Sequence, residues 1–276
     1  MSVINTNVSA MYSQNAMKTN ARAMSTAMEQ LSTGTRVNSA KDDAAGLAIG
    51  QNMTSQIKGL NQAVRNLNDG INMMQTAEGA MIEQSNMLQR MRELAVQSMN
   101  GSYSDVQRGY LDKEFQALST QIGKVATDTK WNDQTLLDAS VNGSGSFTYQ
   151  AGMSSGQTIV VSIAAMTNTG LNVTALVSIA TVTGATTSLG LISTALETIN
   201  GQRAQIGAAI NRMEYAADNL TNISSNATQS RSTIMDTDYA MATTQLAKTQ
   251  IIQQAATAML AQANQQPQSV MALLKG

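Results

Sequence analysis

The sequence predicts a mainly α fold: a long antiparallel helical rod or coiled coil that carries a short β-hairpin region. Three observations predict it. Two stretches repeat apolar residues at alternating steps of three and four, the spacing of a coiled-coil seam. A Gly/Ser/Thr-rich stretch without that period separates them. Pro occurs once and aromatics make up 3% of the 276 residues, which suits Ala- and Met-dense helices better than a β-sandwich.

Near the N-terminus Ala10, Met17, Ala21, Met24, Met28 and Leu31 form one narrow apolar stripe. Lys41-Asp42-Asp43 follows. An Asp there is read as the cap of a long helix, with the rest at a bend, in preference to a metal pair. From Met53 to Ala95 one heptad position reads Met53, Leu60, Leu67, Met74, Met81, Leu88, Ala95. Its companion reads Ile57, Val64, Ile71, Glu78, Ser85, Arg92, so packing should change after Ile71. Such a helix would span roughly 80 Å, a length a rod needs and a globular core seldom does. Asp69-Gly70 lies inside the run, and Gly70 is read as a packing glycine.

Asn100-Gly101 breaks the pattern as a turn. Ser104-x-x-Gln107 has the form of a capping box. Leu111, Phe115, Leu118, Ile122 and Val125 then predict a second amphipathic helix, folded back antiparallel on the first. From Trp131 to Ser188 the period is lost. Residues 146–150 and 158–163 predict short strands around a Gly-rich turn; residues 174–183 fit strand or helix. The seam returns as Ile192, Ile199, Ile206, Met213, Leu220, Ala227, Ile234, with Leu196, Arg203, Ile210, Ala217, Ser224 and Arg231 beside it. Its natural partner is the first run, antiparallel.

Asp236 and Asp238 read as caps of the last helix. In that helix Met241, Ile252, Ala263 and Leu274 recur every eleven residues, with Met259 and Val270 on the same face. Pro267 should kink the helix or set off a final turn. Each terminal arm thus has one apolar stripe and little in its own chain to bury it. Alone the arms should fray; neighbouring copies should complete them.

Composition removes whole classes of function. The chain has no His and no Cys. That excludes imidazole and thiolate nucleophiles, His bases, the common zinc sites and disulfides. The 19 methionines read as adaptable core filling, not as copper ligands. No cofactor or metal is expected. A net charge of -1 points to no nucleic-acid or acidic-membrane partner. With 13% charged residues the surface repels copies of itself poorly. No apolar run is long enough to predict membrane insertion, and the N-terminus does not read as a cleavable secretory signal.

Several motifs carry a family resemblance. Thr33-Gly34-Thr35-Arg36-Val37-Asn38-Ser39-Ala40-Lys41-Asp42-Asp43-Ala44-Ala45-Gly46-Leu47-Ala48-Ile49 resembles the N-terminal signature of bacterial flagellins. So do Asn68-Asp69-Gly70-Ile71, Gln75–Ala80 and Gln89–Ser98. At the other end Arg203–Ala208, Asn211-Arg212, Ala261–Gln265 and Leu273-Leu274 fit as well. The resemblance covers roughly residues 1–140 and 190–276, with the motifs in order.

What the resemblance implies is a structural subunit and not an enzyme. Residues 1–43 and 236–276 would be terminal helical arms forming the inner D0 coiled coil. Residues 44–130 and 188–235 would form the D1 rod. Residues 131–187 would be a short segment in place of large outer domains. The polymerisation arms would use Met17, Met24, Met28, Leu31, Met241, Ile252, Met259, Val270 and Leu274. Partners implied are further copies in a helical homopolymer, an export chaperone on the C-terminal arm, and the filament cap and hook-associated proteins. Toll-like receptor 5 would recognise the free subunit at Gln89, Arg90, Glu93, Leu94, Gln97 and Glu114, with Leu94 as apolar anchor. Secretion to the flagellum would use the flagellar type III route. The Ser/Thr-rich segment 140–188 is a candidate for O-linked sugars. The competing readings are a hook-filament junction protein and a coiled-coil binding adaptor.

Overall fold

A computed structural model describes the backbone of residues 6–140, 145–175 and 178–275, with side chains at 6–140, 145–174 and 178–265. In chain order the elements are α1 (Val8–Thr33), α2 (Ala44–Ser98), α3 (Asp105–Asp128), β1 (Lys130–Trp131), β2 (Gln134–Thr135), β3 (Ser146–Gln150), β4 (Thr158–Ser162), a 3-10 turn (Val173–Ala175), α4 (Val182–Met235) and α5 (Tyr239–Lys275). They form two compact units, 58–224 and 1–57 with 225–276.

In the unit 58–224 the contacts of α2 run antiparallel to both other helices. Gln84 reaches Ile122 and Arg90 reaches Glu114, so α3 returns along α2. Ser224 Oγ donates to Asn61 and Arg203 pairs with Glu78, so α4 returns too. The α3 start is the capping box the sequence predicts: Ser104 Oγ accepts from Gln107 N, and Gln107 Oε1 accepts from Ser104 N. Phe115, Ile122 and Ala126 of α3 are fully buried.

The large-residue seams sit where expected. Leu67, Met74, Met81 and Leu88 are at 0% exposure, as are Ile192, Ile199, Ile206 and Met213. Burial of each is worth about 1.5–3 kcal/mol relative to exposure. The companion seams need correcting. On α2 Ile57 and Ser85 of the predicted companion are buried, but Val64, Ile71 and Glu78 are half-buried and Arg92 is exposed; the continuous buried line is Ala63, Gly70, Ala77, Gln84, Met91, Ser98. On α4 Ala217 and Ser224 are buried as predicted, while Leu196, Arg203 and Ile210 are half-buried and the buried line beside them is Ser188, Ala195, Gln202 and Ala209. Small residues let neighbouring backbone approach closely. Larger apolar side chains fill the flank.

What approaches is the irregular middle. β3 and β4 pair antiparallel, Ser146 opposite Ser162 and Gln150 opposite Thr158. Phe147, Ile159, Val161, Ile163 and Met166 turn into the helical core. Two buried glutamines fasten the end of β4 and the irregular stretch that follows it. Gln202 Nε2 donates to the Ser162 carbonyl at 2.9 Å and its Oε1 accepts from Ala164 N at 3.3 Å. Gln84 Nε2 donates to the Met166 carbonyl at 2.9 Å. The Tyr149 ring lies over Gly70; a Cβ there would meet it at 2.8 Å, which explains a glycine inside the seam. Of the segment ambiguous in sequence, residues 174–175 end the 3-10 turn, 178–181 are irregular and α4 starts at Val182; no strand forms among its described residues. The two-residue ladder of β1 and β2 has no sequence signal of its own.

In the other unit α1 and α5 pack antiparallel: Asn7 Nδ2 donates to Ala263 O and Asn20 Nδ2 to Thr249 O, both at 2.8 Å. Ala10, Asn20, Ala27, Ala242 and Thr249 are the buried contacts. Each arm therefore finds a partner in its own chain, where the sequence predicts fraying. The stripe predicted for α1 is only partly the face used: Met17, Met24 and Leu31 are half-buried and Ala21 is exposed.

Gly34 ends α1 at φ 72, a left-handed conformation in which its N–H caps Gln30 O. An isolated bridge joins Thr35 to Asp236. Asp43 Oδ1 caps α2 through Gly46 N. Asp42 Oδ2 accepts from Asn38 N, Ser39 N and Ser39 Oγ. The Ser39 hydroxyl above all holds the Asp42 pKa below its ordinary value. Asp238, not Asp236, caps α5, through Ala240 N and Met241 N. The helix α5 continues through Pro267, so no final turn is set off.

Candidate functional site

Two surfaces stand out, one on each unit. On the arms, packing through small residues leaves the large apolar side chains outside. Met241 is 73% exposed, Met259 65%, Met28 54% and Ile252 41%. Tyr12 and Met11, which the sequence reading passes over, are also exposed, at 74% and 56%. Both flank Ala10, the first residue of the predicted stripe. Their bulk next to so small a residue was the available signal. A groove of about 410 Å³ runs between the arms, lined by Tyr12, Ser13, Ala16, Ile252, Ala255, Ala256 and Met259. Val270 and Leu274 lie outside the described side chains.

The second surface joins α2 to α3. Arg90 Nε and Nη2 each lie 2.9 Å from Glu114 Oε1, and Nη1 lies 3.0 Å from Glu93 Oε2. The Glu114 and then the Glu93 hydrogen bond push the guanidinium's pKa further above its ordinary value. Gln97 Nε2 donates to Tyr103 Oη at 2.9 Å, and Gln89 is exposed on the same side. Five of the six residues predicted for a receptor are thus on one solvated polar face. Leu94 is not. At 1% exposure it belongs to the core and cannot anchor a partner on the surface. Its place in the heptad, three residues beyond Met91, explains the burial. Beside this face an open groove of about 890 Å³ lies between α2 and α4, with Gln89, Glu93 and Gln97 on one wall and Leu196, Asn200 and Arg203 on the other.

Neither surface presents a catalytic arrangement. The acids at 42, 43 and 238 are engaged in caps and turns. Among the described residues no group of three or more His, Cys, Asp or Glu is placed to hold a metal ion. No helix among them is long and apolar enough to cross a membrane.

Comparison with known proteins agrees on the family. The family profile of the bacterial flagellin N-terminal helical region matches residues 4–142, and that of the C-terminal helical region matches 189–274. A flagellin of Halalkalibacterium halodurans is 42% identical over 275 residues, covering 99% of this chain and 100% of the relative. The chain belongs to the bacterial flagellin family. It is a structural subunit of the flagellar filament, in which copies polymerise.

Flagellin B of Vibrio cholerae is 34% identical over 374 residues, with 98% of this chain and 99% of the relative covered. The Halalkalibacterium alignment, end to end in both chains, shows that a short middle occurs elsewhere in the family. The crystal structure of Bacillus cereus flagellin superposes with a TM-score of 0.51 at 30% identity, over 56% of this chain and 88% of that one.

Proposed function

We propose that subunits join in the filament through the apolar strip of the terminal arms, residues 1–43 and 236–276, as an inner coiled-coil layer. The observation that carries this reading is the exposure of Met28, Met241, Ile252 and Met259 on helices whose mutual contact uses other residues. Apolar surface removed from water gains about 25 cal/mol per Å², and contacts that do not close on themselves extend as an open helical polymer. The same strip is what an export chaperone would cover before assembly, since a ligand that holds the free subunit keeps it from self-association. Delivery by the flagellar type III route and contact with the cap and hook-associated proteins belong to this reading. Replacing Ile252 and Met259 together by Lys should leave a helical monomer that does not elongate filament seeds. Seeds that grow at the normal rate in electron micrographs would overturn the proposal.

A second reading concerns the free subunit. Recognition by Toll-like receptor 5 is supported by Arg90 held between Glu93 and Glu114, with Gln89 and Gln97 alongside. So exposed a cluster adds little to stability, because water competes for every partner. It does present a preorganised guanidinium. Changing Arg90 and Glu114 to Ala should lower receptor signalling by monomer at least about tenfold, as loss of charge-assisted contacts does. Unchanged signalling from a correctly folded double variant would remove this reading.

A further inference from the structure

We infer that the four exposed methionines of the arms, Met11, Met28, Met241 and Met259, are oxidation sites whose modification blocks the free subunit from assembly. The inference rests on the reading of the arms as the assembly surface. The chain's only sulfur is thioether sulfur: it has 19 Met and no Cys. The structure grades that sulfur, with Met17, Met24, Met53, Met87, Met99 and Met235 half-buried between two extremes. Met73, Met74, Met81, Met91, Met166 and Met213 are at most 5% exposed, whereas the four arm methionines are 54–73% exposed. Oxidants reach exposed thioethers first.

The step is an oxygen-atom transfer. A thioether sulfur lone pair attacks the oxygen of a peroxide or of hypochlorous acid, and an S–O bond forms as the O–O or O–Cl bond breaks. Sulfur is oxidised by two electrons to the sulfoxide. Peroxide is reduced to water, or hypochlorous acid to chloride with release of a proton. A flexible apolar side chain becomes a polar one that cannot be buried without a hydrogen-bond partner. On the helix surface of a lone subunit this costs nothing. Between packed subunits it opposes the contact. The same methionines are covered once the subunit is incorporated. Oxidant therefore stops growth while leaving existing filament intact.

Met153 supplies an internal control. It is 51% exposed but lies in the turn between β3 and β4, within the unit 58–224. Full-length monomer would be treated with limited hydrogen peroxide, mapped by peptide mass spectrometry and offered to filament seeds. Elongation should fall at least about tenfold when arm sulfoxides reach about one per chain, the scale of burying an unpaired polar group. Far-UV circular dichroism should not change. Arm sulfoxides should remain in the supernatant and be depleted from the filament pellet, while Met153 sulfoxide divides evenly. Methionine sulfoxide reductases should restore growth. The variant carrying Met11→Leu, Met28→Leu, Met241→Leu and Met259→Leu should elongate after the same dose. Arm sulfoxides as frequent in the pellet as in the supernatant would overturn the inference. So would equal loss of growth in a Leu variant that elongates before treatment. If that variant fails to elongate before treatment, the pellet-to-supernatant ratio of the wild type decides alone. Unoxidised Met259→Lys separates the two levels: normal elongation by that variant would overturn the arm reading itself, whatever oxidant does.

Discussion

Position 84 shows what a polar residue does in a seam. Gln84 is fully buried in the middle of α2 and donates to carbonyls on two other segments, Ile122 and Met166. The Ile122 carbonyl has α3's own hydrogen bonding to fall back on; the Met166 carbonyl, in an irregular stretch, depends on the glutamine. Gln84→Leu should therefore destabilise the monomer by about 1–2 kcal/mol, the cost of leaving one buried acceptor unpaired. The measurement is the denaturant midpoint with the slope unchanged. A midpoint equal to wild type would mean that Met166 finds another donor. The contrast with Leu94 and Arg90 is instructive. Four residues along α2, about 40° of helical phase, separate a residue that a partner can touch from one that it cannot. Leu94 falls on the inner side and Arg90 on the outer.

At the scale of elements, legibility followed side-chain size. The Leu67–Leu88 and Ile192–Met213 seams, the capping box at Ser104 and the β3–β4 hairpin were all readable, because each rests on a strong local pattern. The companion seams were readable only in part, at Ile57, Ser85, Ala217 and Ser224. Ala63, Gly70, Ala77 and Ser98 carry too little apolar surface to register as a period, yet they are buried. Half-apolar flanks such as Val64 and Ile71 stood in for them. The arms failed in the same way, since Asn20, Ala27 and Thr249 bury the contact and the methionines do not. Of the candidate site, the exposed Arg90 cluster and the C-terminal strip were legible, and the burial of Leu94 was not. This view predicts that the small seam is intolerant of bulk. Ala77 is at 0% exposure, and Ala77→Leu should cost about 1–3 kcal/mol from overpacking. Thermal unfolding of the monomer checks it. A neutral or stabilising result would show spare volume along that seam.

For the molecule as a whole, charge and apolar surface make separable contributions to self-association. The net charge is -1 and only 13% of residues are charged, so long-range repulsion between copies is weak and there is little for salt to screen. The exposed arm strip is apolar, so its burial responds to whatever raises the cost of hydrating hydrocarbon. Sulfate does so by exclusion from protein surface, and chloride at the same ionic strength does so much less. Seeded elongation should therefore change by less than about threefold when sodium chloride is raised from about 0.02 M to 0.2 M, a range over which the Debye length shortens from about 20 Å to 7 Å. Ammonium sulfate at matched ionic strength should accelerate it clearly beyond that. Equal responses to the two salts would place ion pairs, not the methionine and isoleucine strip, at the centre of the contact. The Ile252→Lys and Met259→Lys pair should then matter far less than the arms' exposure demands.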